Sequence, residues 1–116
     1  MRRYGCLVLL LISFSCHRER DEPTPNALPA CVQQLIQQNG RRSSGEEFVE
    51  LYRYKYQKRY VYFGVSDCCD RYDVLFDPTC QTLCAPSGGF TGGGDGTCPN
   101  FFREATETTL LWRRPQ

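Results

Sequence analysis

Eight cysteines in 116 residues give this sequence most of its chemical potential. Disulfide bonds are typical of small exported domains, because a short chain buries little apolar surface and an oxidising compartment preserves the bonds. Cys6 lies within an N-terminal apolar run, and Cys16 follows that run. The other six are candidates for disulfide bonds: Cys31, Cys68, Cys69, Cys80, Cys84 and Cys98. The sequence therefore predicts an exported protein braced by disulfides.

The pairing of these six cysteines is left open by the sequence, although two arguments narrow it. A bond between the adjacent Cys68 and Cys69 closes a strained ring, so each is expected to find a separate partner. In an extended chain their side chains leave opposite faces, so one could reach Cys31 and the other the glycine-rich segment. A bond between Cys84 and Cys98 would close that glycine-rich segment at its base.

The N-terminus has the organisation of an export signal. Arg2 and Arg3 precede an apolar run at residues 6–12 that is too short to span a bilayer, and a charged run begins at residue 17. Ser15 directly before Cys16 resembles the lipobox of bacterial lipoproteins. The resemblance implies a diacylglyceryl thioether on Cys16, cleavage before it, and acylation of the new amine by a fatty acid such as palmitate. An ordinary secretory signal cleaved nearby is the alternative.

Three segments follow from these features: a signal peptide at residues 1–15, a lipidated Cys16 with a proline-containing tether at residues 16–29, and a folded domain at residues 30–116. Several acyl chains on one residue anchor a protein firmly, so the predicted location is the bacterial cell envelope, membrane-anchored on its periplasmic or surface face. Loss of the two signal arginines changes the net charge from +1 to 12 − 13 = −1. That charge argues against a nucleic-acid partner.

The folded segment begins with a helical pattern and continues with strand patterns. An apolar stripe at helical spacing runs through Leu28, Cys31, Val32, Leu35 and Ile36. Pro29 suits the start of this helix, and Asn39-Gly40 suits its end. Strands are predicted at residues 48–56, 60–65, 72–76 and 81–85, with a tight turn at 57–59, a helical turn at 99–104 and a closing strand at 106–112. One helical turn at residues 80–84 is the alternative to the fourth strand.

These elements predict the α+β class, with a short N-terminal helix packed on a small antiparallel sheet and a glycine-rich loop. Alternation along the first strand places Phe48 on the same face as three tyrosines (Tyr52, Tyr54 and Tyr56). Arg53 and Lys55 then lie on the opposite face. The tyrosines suit either a stacking platform for nucleic acid or sugar, or cross-strand packing of a small core, and we favour packing.

The segment at residues 87–96 contains six glycines and is predicted to be a loop. It lacks the Gly-Lys-Ser/Thr ending of a phosphate-binding loop, and its single carboxylate is too few for a calcium loop. Bracing by Cys84 and Cys98 would make it a rigid surface. The candidate binding residues are therefore Gly88, Gly89, Phe90 and Asp95.

Four aspartates lie within eleven residues of one another, beside the paired cysteines: Asp67, Asp70, Asp73 and Asp77. They could surround one Ca²⁺, but turn formation is the more ordinary role of aspartate, and we favour it. Zinc is disfavoured because C-x2-C pairs and nearby histidines are missing. The sequence predicts neither a metal nor a cofactor.

Catalytic residues are scarce, since His17 is the single histidine and lies next to the predicted anchor. We therefore predict a non-enzyme that acts as a binding or structural module of the cell envelope, with an envelope protein or a glycan as partner. A protease inhibitor is the first alternative, and it requires residues 87–97 or Ala85-Pro86 to be exposed and rigid. A hydrolase is the second, and it requires two carboxylates, for example Asp70 and Asp73, in one pocket.

Residues 62–112, together with the Cys31 helix, resemble a family of small, cysteine-rich bacterial lipoproteins, a domain of unknown function. The resemblance rests on Val61-Tyr62, Asp67-Cys68-Cys69-Asp70, Asp77-x-x-Cys80, Leu83-Cys84-Ala85-Pro86, Gly88-Gly89, Gly94-Asp95-Gly96, Cys98-Pro99 and Phe101-Phe102. It implies export, the lipid and a shared cysteine framework, and it names no ligand.

Overall fold

A computed structural model describes residues 27–41, 48–68 and 70–116. One helix packs on a five-stranded antiparallel sheet, which confirms the predicted α+β class, and the strand order is β4-β3-β2-β1-β5. The elements are α1 (Ala30–Arg41), β1 (Phe48–Tyr56), β2 (Arg59–Ser66), β3 (Tyr72–Phe76), β4 (Thr82–Gly88), α2 (Phe101–Glu104) and β5 (Thr106–Arg113). The predicted signal peptide, Cys16 and most of the tether lie outside the described residues.

The apolar stripe of α1 packs on one face of the sheet, as its spacing predicts. Val32 is fully buried in a cluster with Leu51, Tyr62 and Phe76, and the other stripe residues pack around this cluster. Asn39 is also buried, although it is polar. Its side-chain amide donates to the Leu35 carbonyl (2.8 Å), and its Oδ1 accepts from the Phe48 amide (3.2 Å). Asn39 therefore joins the end of α1 to the start of β1.

Phe48 lies on the helix side of the sheet, so the prediction that it shares a face with the tyrosines is wrong. The pairing of β1 with β2 shifts register between Phe48 and Glu50, which is the signature of a β-bulge. An extra residue in a strand turns the preceding side chain to the other face. The Phe48 ring consequently stacks on Phe76, with ring centroids 6.0 Å apart.

The three tyrosines of β1 pack on the second face of the sheet, which confirms the core-packing interpretation. They surround a cluster that contains Phe101 of α2, and the ring centroids of Tyr54 and Tyr56 lie 5.1 and 5.2 Å from that of Phe101. Edge-on contacts of this kind are favourable geometries for aromatic pairs. The sheet therefore separates two small cores, one under α1 and one under α2.

Strand and turn positions agree with the sequence patterns at most boundaries. The tight β1–β2 turn consists of Gln57 and Lys58, both with positive φ, as two-residue hairpins of this twist require. β4 is a strand, so the alternative of a helical turn at residues 80–84 is wrong. It also runs to Gly88, two residues into the segment predicted to be loop.

Two disulfides brace the described part of the chain. Cys84 bonds Cys98, as predicted, and Cys31 bonds Cys80, with 6.1 Å between the Cα atoms of each pair. The expectation that Cys68 or Cys69 reaches Cys31 is wrong, because the N-terminal end of α1 lies against the turn after β3. Cys31 Sγ is 3.6 Å from the Pro78 carbonyl oxygen in that turn. Cys69 lies outside the described residues, and the disulfide role of Cys68 and Cys69 stays a prediction.

Candidate functional site

The segment that follows β4, residues 89–97, is here called the glycine loop. Its two ends are joined covalently because Cys84 in β4 bonds Cys98 at the end of the loop. Both cysteines are buried in the same cluster as Phe101 and Leu75. The loop is therefore anchored in the core under α2, and the predicted brace at its base is present.

Asp95 fixes the loop from within. Its backbone amide donates to the Ala85 carbonyl oxygen (2.9 Å), and its Oδ2 accepts from the Ala85 amide (3.0 Å). Its Oδ1 accepts from the Thr97 amide (2.9 Å) and hydroxyl (2.7 Å). Hydrogen bonds from Thr97, first through its backbone and then through its side chain, hold the pKa of Asp95 below its ordinary value of 3.8. Asp95 therefore stabilises the loop, although the sequence suggested it as a ligand contact.

Two glycines allow the loop to approach the sheet. Gly88 and Gly94 have φ values of +75° and +76°, which side chains rarely adopt. A Cβ at Gly88 would overlap the Arg71 carbonyl oxygen, and one at Gly94 would overlap the Ala85 carbonyl oxygen. The loop therefore requires glycine at these positions for its shape. Gly88 is half-buried, and the neighbouring Gly89 is buried.

The tip of the loop presents Phe90 to solvent. The Gly92 amide donates to the Gly89 carbonyl (3.1 Å), which closes a turn around Phe90 and Thr91. The Gly89 amide donates to the Arg71 carbonyl (2.7 Å), so the turn is tied to the start of β3. Phe90 is 96% exposed, the most exposed of the large apolar side chains that the structure describes. Of the four predicted binding residues, Phe90 and Asp95 are exposed, and the Asp95 carboxylate already accepts hydrogen bonds from Ala85 and Thr97. Phe90 is therefore the stronger candidate for contact with a partner.

Three of the four clustered aspartates contact different partners. Asp77 Oδ1 accepts from the Thr79 amide and hydroxyl (2.8 and 2.7 Å) and from the Gln81 amide (3.0 Å), which confirms its turn-forming role. Asp73 accepts from the Ser66 amide and the Ser87 hydroxyl, both at 2.8 Å. Asp67 forms an ion pair with Arg114. Among the described residues no three metal-binding side chains converge.

A cleft of about 480 Å³ lies on the opposite face of the sheet, between α1 and the side of the sheet formed by β3 and β4. Its lining combines apolar and polar side chains. The apolar ones belong to Leu35, Phe48, Val74, Phe76 and Cys80, and the polar ones to Ser66, Asp70, Arg71, Tyr72 and Thr82. The residue pattern does not reveal this cleft, because the bulge that turns Phe48 toward it is not visible in the alternation. Asp70 lines this cleft, whereas the Asp73 carboxylate is bonded to the β2 and β4 strands.

None of the helices in the described ranges has the length and apolar character needed to cross a bilayer.

A family profile described as a domain of unknown function (DUF6970) matches residues 36–114. This range contains the whole sheet, the glycine loop and both cysteines of the Cys84–Cys98 bond. No curated protein and no solved structure matches the sequence.

Proposed function

We propose that this chain, which belongs to the DUF6970 family, is an exported lipoprotein of the bacterial cell envelope that binds a partner protein through Phe90. Cys16 carries the lipid in this proposal, and the disulfide-braced domain is a binding module without catalytic activity. The observation that carries the binding role is the full exposure of Phe90 on a loop whose backbone is fixed.

An exposed aromatic side chain has a higher free energy in water than in an apolar environment, and burial against a binding partner removes this difference. Burial of a phenylalanine side chain contributes roughly 1.5–3 kcal/mol, and buried aromatic anchors dominate many protein interfaces. A fixed loop also loses little conformational entropy on binding, which preserves more of this free energy as affinity. The Cys84–Cys98 bond and the Asp95 hydrogen bonds supply that preorganisation.

The chemistry of the tip favours an apolar pocket on a protein. Phe90 has no hydrogen-bonding group, and the hydroxyl of the adjacent Thr91 already accepts from the Gly93 amide (3.3 Å). Recognition of a sugar requires polar groups beside the stacking ring to meet its hydroxyls. Glycan binding is therefore the second outcome of the test. The protease-inhibitor and hydrolase alternatives stay predictions, and no observation favours them over binding.

The test is site-specific photocrosslinking in the native host. A photoreactive phenylalanine analogue replaces Phe90 in one strain and Phe102, which is 53% exposed on α2, in a matched control strain. We expect a discrete protein adduct from position 90 and none from position 102. Asp95→Asn, introduced together with the position-90 probe, should weaken the adduct, because it disturbs the loop and leaves the probe in place.

Two results would overturn the assignment. Equal adducts from positions 90 and 102 would show contact without selectivity. If digestion with muramidase reduces the size of the adduct, the partner is peptidoglycan and not a protein.

A further inference from the structure

The N-terminal end of α1 and the β1–β2 hairpin lie at the same end of the sheet. Cys31 is bonded to Cys80, so the start of the helix is held against the turn that follows β3. Antiparallel pairing of Phe76 with Tyr62 places that turn beside the start of β2, directly after the hairpin turn. The chain that leads back to Cys16 therefore leaves the domain next to the hairpin.

This hairpin carries an excess of positive charge. Its cations, here called the basic hairpin, are Arg53, Lys55, Lys58 and Arg59, and they include both lysines of the chain. Lys55, Lys58 and Arg59 are exposed, and none of the four forms an ion pair with a carboxylate among the described residues. Asp77, Glu104 and Glu107 lie at the same end together with Arg103, which leaves a net charge of 5 − 3 = +2.

Two of these cations pack over an aromatic ring of the neighbouring strand. The guanidinium carbon of Arg53 lies 4.6 Å from the centroid of the Tyr60 ring, and Lys55 Nζ lies 5.9 Å from the same centroid. Asp77, the acidic residue of the adjacent turn, already accepts hydrogen bonds from Thr79 and Gln81. Arg59 is attracted to Asp77 through space, but no described carboxylate forms a contact ion pair with any of the four cations.

The opposite end of the sheet carries the candidate binding surface. Gly88 at the end of β4 pairs with Tyr72 at the start of β3, and the Gly89 amide binds the Arg71 carbonyl there. Phe90 therefore projects from the end of the domain that is remote from the basic hairpin.

We infer that the basic hairpin binds the anionic phospholipid surface of the membrane that holds Cys16. The inference rests on the proposed lipid anchor for its geometry. Cys16 and Ala30 are fourteen residues apart, which limits their separation to about 50 Å at most. The hairpin can therefore approach within the roughly 10 Å over which surface charge acts at physiological salt. Seated in this way, the domain directs Phe90 away from the bilayer.

The experiment measures the protection of lysine amines on vesicles. The full chain, purified from its host and carrying Arg71→Lys, is mixed with vesicles of neutral phosphatidylcholine or of phosphatidylcholine with phosphatidylglycerol. The substitution adds a reference amine at the remote end without a change of charge. A water-soluble amine reagent then labels the three lysines, and mass spectrometry gives the rate at each.

We expect labelling of Lys55 and Lys58 to slow several-fold, relative to the reference lysine, on the anionic vesicles alone. High salt should restore the rate. Arg59→Gln should raise the phosphatidylglycerol needed for half-protection about fivefold, because one basic residue near an anionic surface contributes about that factor. Arg71→Gln removes one positive charge at the remote end and is the matched control. With labelling measured at Lys55 and Lys58, it should change the amount of phosphatidylglycerol needed for half-protection less than twofold.

Equal rates on both kinds of vesicle, or equal protection of the reference lysine, would overturn the inference. Protection by soluble polyglutamate with none by vesicles would assign the hairpin to an acidic polymer instead. The assay reports hairpin contact whether or not Cys16 carries lipid, and the intact mass of the same sample reports the lipid. Failure of the anchor and failure of the hairpin are therefore separate results.

Discussion

Asp95 and Ala85 bind each other twice, once through the Asp95 amide to the Ala85 carbonyl (2.9 Å) and once through the Ala85 amide to the Asp95 carboxylate (3.0 Å). This reciprocal pair joins the glycine loop to β4 ten residues earlier in the chain. Together with the Cys84–Cys98 bond, it fixes the backbone on either side of Phe90. The proposed binding through Phe90 would therefore depend on Asp95, Ala85 and the disulfide, which hold the loop in place.

Asp95→Asn should loosen the glycine loop without unfolding the domain. The neutral amide is a weaker acceptor than the carboxylate for the Ala85 and Thr97 amides. We expect faster hydrogen exchange at those two amides and unchanged exchange in β1 and β2. Asp70→Asn, an exposed aspartate outside the loop, is the control. Equal effects of the two substitutions would show that Asp95 does not brace the loop.

Acid should release the loop at a pH below the ordinary pKa of aspartate. The folded-state pKa of Asp95 is lowered by the Thr97 hydrogen bonds, so its stabilising effect is fully present above 3.8. That effect is lost as the pH falls through the lowered folded-state value. The Thr97 amide resonance, followed by NMR, should therefore shift with a midpoint below 3.8. A midpoint at or above 3.8 would contradict the hydrogen-bonded carboxylate.

The two disulfides should differ in their contribution to stability. Cys84 and Cys98 are 14 residues apart, whereas Cys31 and Cys80 are 49 apart. Loop-closure entropy grows with loop length. Removal of the Cys84–Cys98 bond should therefore lower the free energy of unfolding by about 3 kcal/mol, and removal of the Cys31–Cys80 bond by about 4 kcal/mol. Urea unfolding of the Cys84→Ala/Cys98→Ala and Cys31→Ala/Cys80→Ala chains measures this. A larger loss of unfolding free energy in the Cys84→Ala/Cys98→Ala chain would contradict the entropic explanation.

Gly64→Ala should destabilise the helix-side core through Phe48. A Cβ at Gly64 would overlap the Phe48 ring, which packs against it across the β1–β2 ladder. Overpacking of this kind costs about 1–3 kcal/mol, measurable by urea unfolding. In a Phe48→Leu background the smaller side chain should accept the new methyl group, so the additional cost should fall by more than half. The same loss in both backgrounds would contradict the contact.

Local sequence patterns predict most of the fold. The apolar spacing of α1, the alternation of β1 and β3, and the Asp77-Pro78 turn are short-range signals, and the elements follow them closely. The position of Phe48 is not predictable in this way, because a bulge reverses the alternation and depends on pairing with β2. The partner of Cys31 likewise depends on how α1 lies across the sheet, which no local pattern encodes.

The candidate site is only partly predictable for a related reason. Glycine content and flanking cysteines locate the loop, and the Cys84–Cys98 bond, one of the pairings that the sequence left open, closes it. The bracing role of Asp95 and the full exposure of Phe90 depend on which backbone groups the folded loop brings together. Those contacts span from the loop to Arg71 and Ala85, and sequence spacing alone does not specify them.

We propose that the chain is exported and lipidated at Cys16, and two disulfides brace its folded part. The most direct measurement is the intact mass of the protein isolated from its own host, taken after alkylation without reduction and again after reduction. We predict a chain that begins at Cys16 with diacylglyceryl and acyl additions, and no alkylation of Cys31, Cys80, Cys84 or Cys98 before reduction. The mass of the unprocessed chain, or alkylation of those four cysteines without a reductant, would contradict the claim.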